Sequence, residues 1–318
     1  MNIEGYSCLG SFGSGAKSLL AALRGSPETA FTAGADLSAL SGYFPPRALR
    51  QCDRFSRLAL LGACMAAEQA GIALKEIQSC GIVLSSGYGP ATPTFDFLDS
   101  LLEHGETLAS PLAFSMSVHN IPAAVVAKTL HIVGPCATVC QYESSVASGL
   151  LLAENWLEEG RVDKVLFGAV DEFTAVLASI SGRLIDEREE RGAPACRRKL
   201  PLGEGAAFFI LSRSDGRPAA GSVESVRLEY TPEGPGAIAP EPGISFLSGA
   251  VPPEAFADGR VYDGGKAYGN LPIAPALDCV AALELLRAGG FAEGMRRARC
   301  LNYGSGVRSA IVLGGGAA

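Results

Sequence analysis

Between Gly134 and Glu172 the chain reads GPCATVCQYESSVASGLLLAENWLEEGRVDKVLFGAVDE. An apolar run of strand length, a sharp turn, a helical stretch and a second apolar run follow one another with almost no linker. Such a unit joins two parallel strands through a crossover helix, so it commits the chain to a layered α/β architecture. The same alternation continues outside it. Residues 3–24 read as strand, glycine-rich loop and helix, and residues 47–71 have helical periodicity and end at Gly71 as a C-cap. A buried strand is expected over 80–89, helices over 94–105 and 121–132 (the latter with Asn120 as N-cap), and strands over 136–142, 163–170 and 205–213 around a helix over 144–159. Residues 183–200 read as a polar loop. Residues 214–258 are rich in Pro and Gly and show one alternating strand, near 222–230. A helix from Ile273 and a closing strand pair over 297–306 and 308–316 complete the chain, with no internal repeat evident from the letters alone.

Composition narrows the function. With 318 residues, 48% hydrophobic and 19% charged, the chain is globular and long enough for one large domain or two fused halves. A net charge of −7 with no Lys/Arg-rich run argues against a nucleic-acid surface. The N-terminus lacks the pattern of a signal peptide, and no apolar stretch is long enough to span a bilayer. Nine cysteines, mostly inside apolar runs, read as buried reduced thiols of a cytoplasmic protein. Cys136 and Cys140 have no second Cys/His pair at zinc spacing, so neither metal nor cofactor is expected.

Several blocks resemble the β-ketoacyl synthase family, in that family's order: DRFSRLALLGACMAAEQAGI (53–72), SVHNIPAAVVAKTLHIVGP (117–135), DKVLFGAVDE (163–172), KLPLGEGAAFFILSR (199–213), KAYGNLPIAPALDCVAALELL (266–286) and LNYGSGVRSAIVL (301–313). The resemblance implies a thiolase-like α/β fold of two βαβ-rich halves in α/β/α/β/α layers. The halves would divide into residues 1–204 and a shortened 205–318, and the protein would dimerise through the strand beside the active site. It also implies where chemistry would sit. The family's cysteine nucleophile opens a helix, and its place falls on Glu143. Two histidines follow in the family, but here the three histidines, His104, His119 and His131, all precede residue 134. The first catalytic histidine has no counterpart. At the second, Lys266 and Gly269 align and Asn270 stands where histidine would be, after a turn one residue short. An acyl pocket would be formed by Glu143, Asn270, Tyr303, Gly304 and Ser305.

A carboxylate is a far weaker acyl acceptor than a thiolate, and an asparagine cannot do acid–base work near neutral pH. This profile is similar to that of chain-length factors, which lack the nucleophile and pair with an active synthase, although they usually carry Gln where this chain has Glu143. The implied function is a non-catalytic subunit in polyketide or fatty-acid-like biosynthesis on acyl carrier protein, paired with an active β-ketoacyl synthase or with itself. The alternatives are an enzyme, either a malonyl-carrier-protein decarboxylase using Glu143 and Asn270 or a divergent synthase with Cys140 as displaced nucleophile, or a stand-alone acyl-binding homodimer. Each residue also has a plainer reading. Glu143 can be a buried carboxylate at a helix N-terminus, Cys140 a core thiol, Lys266 an exposed loop lysine, and His119 and His131 packing or surface residues. GSGVR (304–308) is a glycine turn rather than a phosphate loop, and Asp171–Glu172 a solvated or loop-anchoring pair.

Overall fold

A computed structural model describes residues 1–25, 34–50, 52–190, 200–214, 219–234, 244–249, 260–288 and 296–316. The elements in order are β1 (Asn2–Gly10), β2 (Gly13–Ser14), α1 (Ala16–Arg24), α2 (Leu40–Tyr43), α3 (Arg54–Gln69), β3 (Gly81–Ser86), α4 (Ala91–His104), α5 (Pro111–Met116), α6 (Ile121–Leu130), β4 (Cys136–Cys140), α7 (Ser145–Glu158), β5 (Lys164–Asp171) and α8 (Ala175–Glu190). There follow β6 (Gly205–Ser212), β7 (Gly221–Tyr230), β8 (Ile244–Gly249), β9 (Arg260–Asp263), α9 (Gly265–Tyr268), α10 (Ala274–Arg287), β10 (Arg297–Gly304) and β11 (Val307–Gly315).

Among the described residues, ten strands form one sheet in the order β4-β3-β5-β6-β1-β7-β11-β10-β8-β9, with an eleventh, β2, paired to β1. Its two ends repeat the same plan. In the first, β3 runs parallel to β4 and β5, while β6 is antiparallel to β5 and β1. In the second, β8 runs parallel to β9 and β10, while β11 is antiparallel to β10 and β7. The internal repeat, invisible in the letters, is therefore explicit in the pairing. An expected break at 204/205 separates β6 from the strands it pairs with. Pairing groups β6 with the first half, so the repeat changes over between Ser212 and Gly221.

The central strands are buried on both faces, as their unbroken apolar runs require. On β6, Ala206, Phe208 and Ile210 enter one core with Leu58, Leu61 and Ala63 of α3 and Val126 of α6. Ala207, Phe209 and Leu211 enter the other, with Val146 and Leu150 of α7 and Leu277 and Val280 of α10. The helices α7 and α10 thus form an internal layer between the halves, and α3 with α6 covers the outside of the first. Among the described residues, the opposite face of the second half carries a small cluster of Leu247 and Leu301, with Val261, Tyr303 and Ala310 against them. The described residues supply four of the five expected layers.

Local chemistry sets the helix ends. α3 starts later than its periodicity suggests because Asp53 accepts from Ser56 N at 2.8 Å, an N-cap bond. Asn120 precedes α6 but makes no side-chain cap, and the helix instead ends on left-handed His131 (φ 58°). α8 begins where Thr174 Oγ1 accepts from Leu177 N and continues into the segment read as a polar loop. β8 lies among the Pro- and Gly-rich residues, where no second strand is expected, and β9 follows them; of that segment 215–218, 235–243 and 250–259 lie outside the described residues.

Phe208 fixes how closely β5 and α3 pack against β6. A Cβ at Gly168 would stand 2.2 Å from its ring, and one at Gly62 would stand 2.4 Å from it. Two glycines from β5 and α3 have thus made room for one aromatic ring. Phe208→Ala is expected to lower unfolding stability by about 3–5 kcal/mol in urea titrations, without altering the sheet's circular dichroism under native conditions.

Candidate site at the start of helix α7

β4 ends at Cys140, and within two residues the backbone has turned into α7. Gln141 has φ −142° and ψ 41°, and Tyr142 is left-handed at φ 48°, a conformation a bulky residue adopts only when its surroundings enforce it. Ser145 does this. Its hydroxyl oxygen accepts from Gln141 N at 2.7 Å and lies within donating distance of Ser86 O (2.8 Å) and Tyr142 O (2.7 Å). Ser148 Oγ donates to Gln141 Oε1 at 2.7 Å, and the Tyr142 ring meets Tyr88 edge-on at 5.9 Å. The turn is fastened to β3 and to the first turn of its own helix.

Glu143 sits at the tip of this turn, half-exposed rather than buried, and reaches toward the second half. Its backbone carbonyl accepts from Asn302 Nδ2 at 2.6 Å, and its Oε2 accepts from Ser305 Oγ at 3.3 Å. The side chain lies flat on Gly304, where an added Cβ would come 2.5 Å from its Cδ. Ser305 (φ 51°) and Gly306 (φ 77°) form the two-residue turn between β10 and β11, with positive φ at both positions as a type I′ hairpin requires.

The structure therefore brings Glu143, Gly304 and Ser305 together. Tyr303 does not join them. Successive residues of a strand face opposite ways, so Tyr303 packs on the outer side with Leu247 and Leu301, and its hydroxyl donates to Thr231 O at 3.1 Å. The residue on the correct face is Asn302, which the sequence reading passed over.

Asn270 lines a neighbouring pocket with Ser248, Gly249, Asp263, Tyr268 and Leu271, a space of about 20 Å³, near the size of a single water site. Its backbone holds it: Asn270 N donates to Pro201 O at 2.8 Å, and Gly203 N donates to Asn270 O at 3.2 Å. Ser248 stands opposite Asn302 in the β8–β10 register, so the pocket and the Glu143 turn meet at the ends of these two strands. Ser248 Oγ and Asn302 Oδ1 are buried without a hydrogen-bond partner. Sequence reading missed Ser248 because β8 itself was not visible. Lys266 falls in α9, but its side chain lies outside the described residues. None of the three histidines lines this pocket; His119 instead lies against Gly89.

Cys140 is half-buried, with Sγ 3.4 Å from Gly87 O. Burial, with the Asp171 charge adding, pushes its thiol up to about 11, the opposite of what an activated nucleophile needs. The other thiols divide. Cys8, Cys64, Cys80, Cys279 and Cys300 are buried as expected, Cys52 is half-buried, and Cys136 is exposed. Cys196 lies outside the described residues.

Asp171 and Glu172 are both buried, which removes the solvated reading and leaves the anchoring one. Asp171 Oδ1 accepts from Ser86 Oγ at 2.7 Å, Gly87 N at 3.0 Å and Tyr88 N at 3.1 Å. Burial outweighs these bonds and carries its carboxyl up to about 6. Glu172 Oε1 accepts from Thr92 N at 2.8 Å, and burial carries it up to about 7. Beside it Glu204 takes Arg54 Nε at 2.8 Å and Ala35 N at 2.7 Å. Among the described residues no group of His, Cys, Asp and Glu could hold a metal, and no helix is long and apolar enough to cross a membrane.

A sheet of two repeated halves with a helix layer between them defines a thiolase-like α/β protein. The chain belongs to the β-ketoacyl synthase family: residues 26–215 match its N-terminal domain. It is 29% identical over 196 residues to a putative polyketide β-ketoacyl synthase 1 of Streptomyces virginiae, covering 56% of this chain and 46% of that one. It is 28% identical over 198 residues to nodulation protein E of Rhizobium sp. (strain N33), covering 60% and 49%. The aligned region thus spans about half the length of these relatives. The fold matches the ishigamide ketosynthase/chain length factor over 99% of both chains, with a TM-score of 0.78 at 20% identity. It also matches a Burkholderia phymatum β-ketoacyl synthase over 99% of this chain and 98% of that one, with a TM-score of 0.72 at 14% identity.

Two expectations follow. Gly304→Ala forces Glu143 off its seat and lowers stability by about 1–3 kcal/mol, and adding Glu143→Ala restores most of that loss in a thermal-denaturation cycle. For Glu172, a folded value of about 7 against 4.5 ordinarily means that its contribution is full below the ordinary value and lost as pH rises through the folded one. Glu172→Gln should therefore raise Tm at about pH 8 and have little effect at about pH 5.

Proposed function

We propose that this chain is a non-catalytic, chain-length-factor-like subunit that pairs with an active β-ketoacyl synthase across the β4 edge, in type II polyketide or fatty-acid-like biosynthesis. Acyl and malonyl groups would ride on an acyl carrier protein and react in the partner. The observation that carries this reading is Glu143, a carboxylate where the family's thiolate belongs, already engaged by Ser305 and seated on Gly304. Asn270 in the adjoining pocket supports it, because an amide cannot shuttle a proton near neutral pH. A raised Cys140 thiol weighs against a displaced nucleophile.

Transfer of labelled acyl groups from carrier protein is the direct test. The purified chain should take up no label, and a synthase that copurifies with it should take up label on its own cysteine. Label on Cys140 or Glu143 would sink the proposal, as would failure to copurify with any synthase from its own cell.

A further inference from the structure

Between β3 and α6 the chain makes an excursion that neither core holds. α4 buries only Ala91 and Pro93, both in its first turn. From Thr94 to Ile121 no residue is buried, and burial resumes at Pro122 and Ala123 of α6. The excursion packs on itself instead. Phe97 of α4 meets Phe114 of α5 at 5.2 Å, and Ser110 N donates to Ser100 Oγ at 3.0 Å. Its two ends lie together, because His119 rests on Gly89, where an added Cβ would come 2.5 Å from the imidazole Cδ2. A unit joined at its ends and unburied between them belongs to the low-stability end of a fold.

Glu172, just past β5, ties the first turn of this unit to the sheet. Its Oε1 accepts from Thr92 N at 2.8 Å, and the Thr92 hydroxyl bonds the same carboxyl. Two further acids face it. Asp53 stands at the N-cap of α3, accepting from Ser56 N, and Glu204 precedes β6. The cation facing it is Arg54, whose guanidinium Glu204 already takes, with Nε at 2.8 Å. An ionised Glu172 is therefore a third carboxylate around an engaged guanidinium, removed from water. The start of α4 favours an anion, but burial first, with the charges of Asp53 and Glu204 adding, outweighs the Thr92 bonds and carries Glu172 up to about 7.

We propose that residues 90–118 form a hinged flap, latched at Thr92 by the Glu172 carboxyl while it keeps its proton and released when that proton is lost. Shut, the flap keeps Glu172 from water. Open, the carboxyl reaches solvent and ionises at its ordinary value of 4.5. An acid raised in the shut form stabilises that form fully below the ordinary value, and the stabilisation is lost as pH rises through about 7. Opening therefore increases about tenfold per pH unit between the two values and levels off above the upper one. The flap hangs beside the candidate site, since Tyr88, two residues before Pro90, meets Tyr142 edge-on at 5.9 Å.

Hydrogen exchange of the Thr92 amide, corrected for its intrinsic rate at each pH, reads the latch in the intact chain. Its protection should fall about tenfold per unit from about pH 5 to about pH 7 and stay level above about pH 8, while the amides of β5 and β6 keep theirs. Glu172→Gln still accepts from Thr92 N but cannot ionise, so it should remove the pH dependence. Asp53→Asn keeps an N-cap side chain and removes one facing charge, so the levelling-off should move to lower pH. Protection that ignores pH, a dependence that survives Glu172→Gln, or an equal loss across β5 and β6 would overturn the inference. None of these readouts involves a synthase partner, so they stand apart from the function proposed above.

Discussion

The left-handed backbone at Tyr142 is the constraint on which the candidate site depends. Without it, β4 would run on past Gln141 and residue 143 would not stand at the head of α7. One hydroxyl, that of Ser145, holds the conformation by bonding the turn to itself and to β3. Placing a side chain at a helix start between two halves of a sheet is a demanding arrangement, and this chain keeps it intact while presenting a carboxylate there. The framework of the turn holds that carboxylate against the β10–β11 hairpin.

The surrounding carboxylates serve that framework. Asp171 takes the backbone of residues 87 and 88 and the hydroxyl of Ser86, so the loop after β3 is fixed from the end of β5. Glu204 ties Arg54 and Ala35 to the start of β6. Buried acids held by directional bonds position loops well, but Asp171 and Glu172 lose solvation, and burial dominates their titration. These two anchors are therefore sensitive to pH in a range where most surface groups are not.

Much of this was legible in the letters. The strand–turn–helix–strand unit at 134–172 was clear because each element buries an unbroken apolar run of its proper length. Glu143, Gly304 and Ser305 lie together in the structure, and the sequence named all three through the family resemblance rather than through their spacing. Tyr303 was misplaced because face assignment depends on register, and shifting the register by one residue reverses every side chain. Ser248 and Asn302 were missed for a related reason. Polar residues inside strands look like surface residues until the sheet shows them buried. The repeat of the two halves was hidden because it lives in hydrogen-bond order, which unrelated sequences can share.

The uneven clothing of the sheet has a consequence for how the molecule breathes. β5, β6 and β1 are sealed between two cores, so their amides can reach solvent only when the whole domain opens. β7 and β11 have partly exposed faces, so they exchange before the sealed strands do. Glu143 joins the two regimes, its turn fastened to β3 through Ser145 while its carbonyl and carboxylate rest on the β10–β11 hairpin.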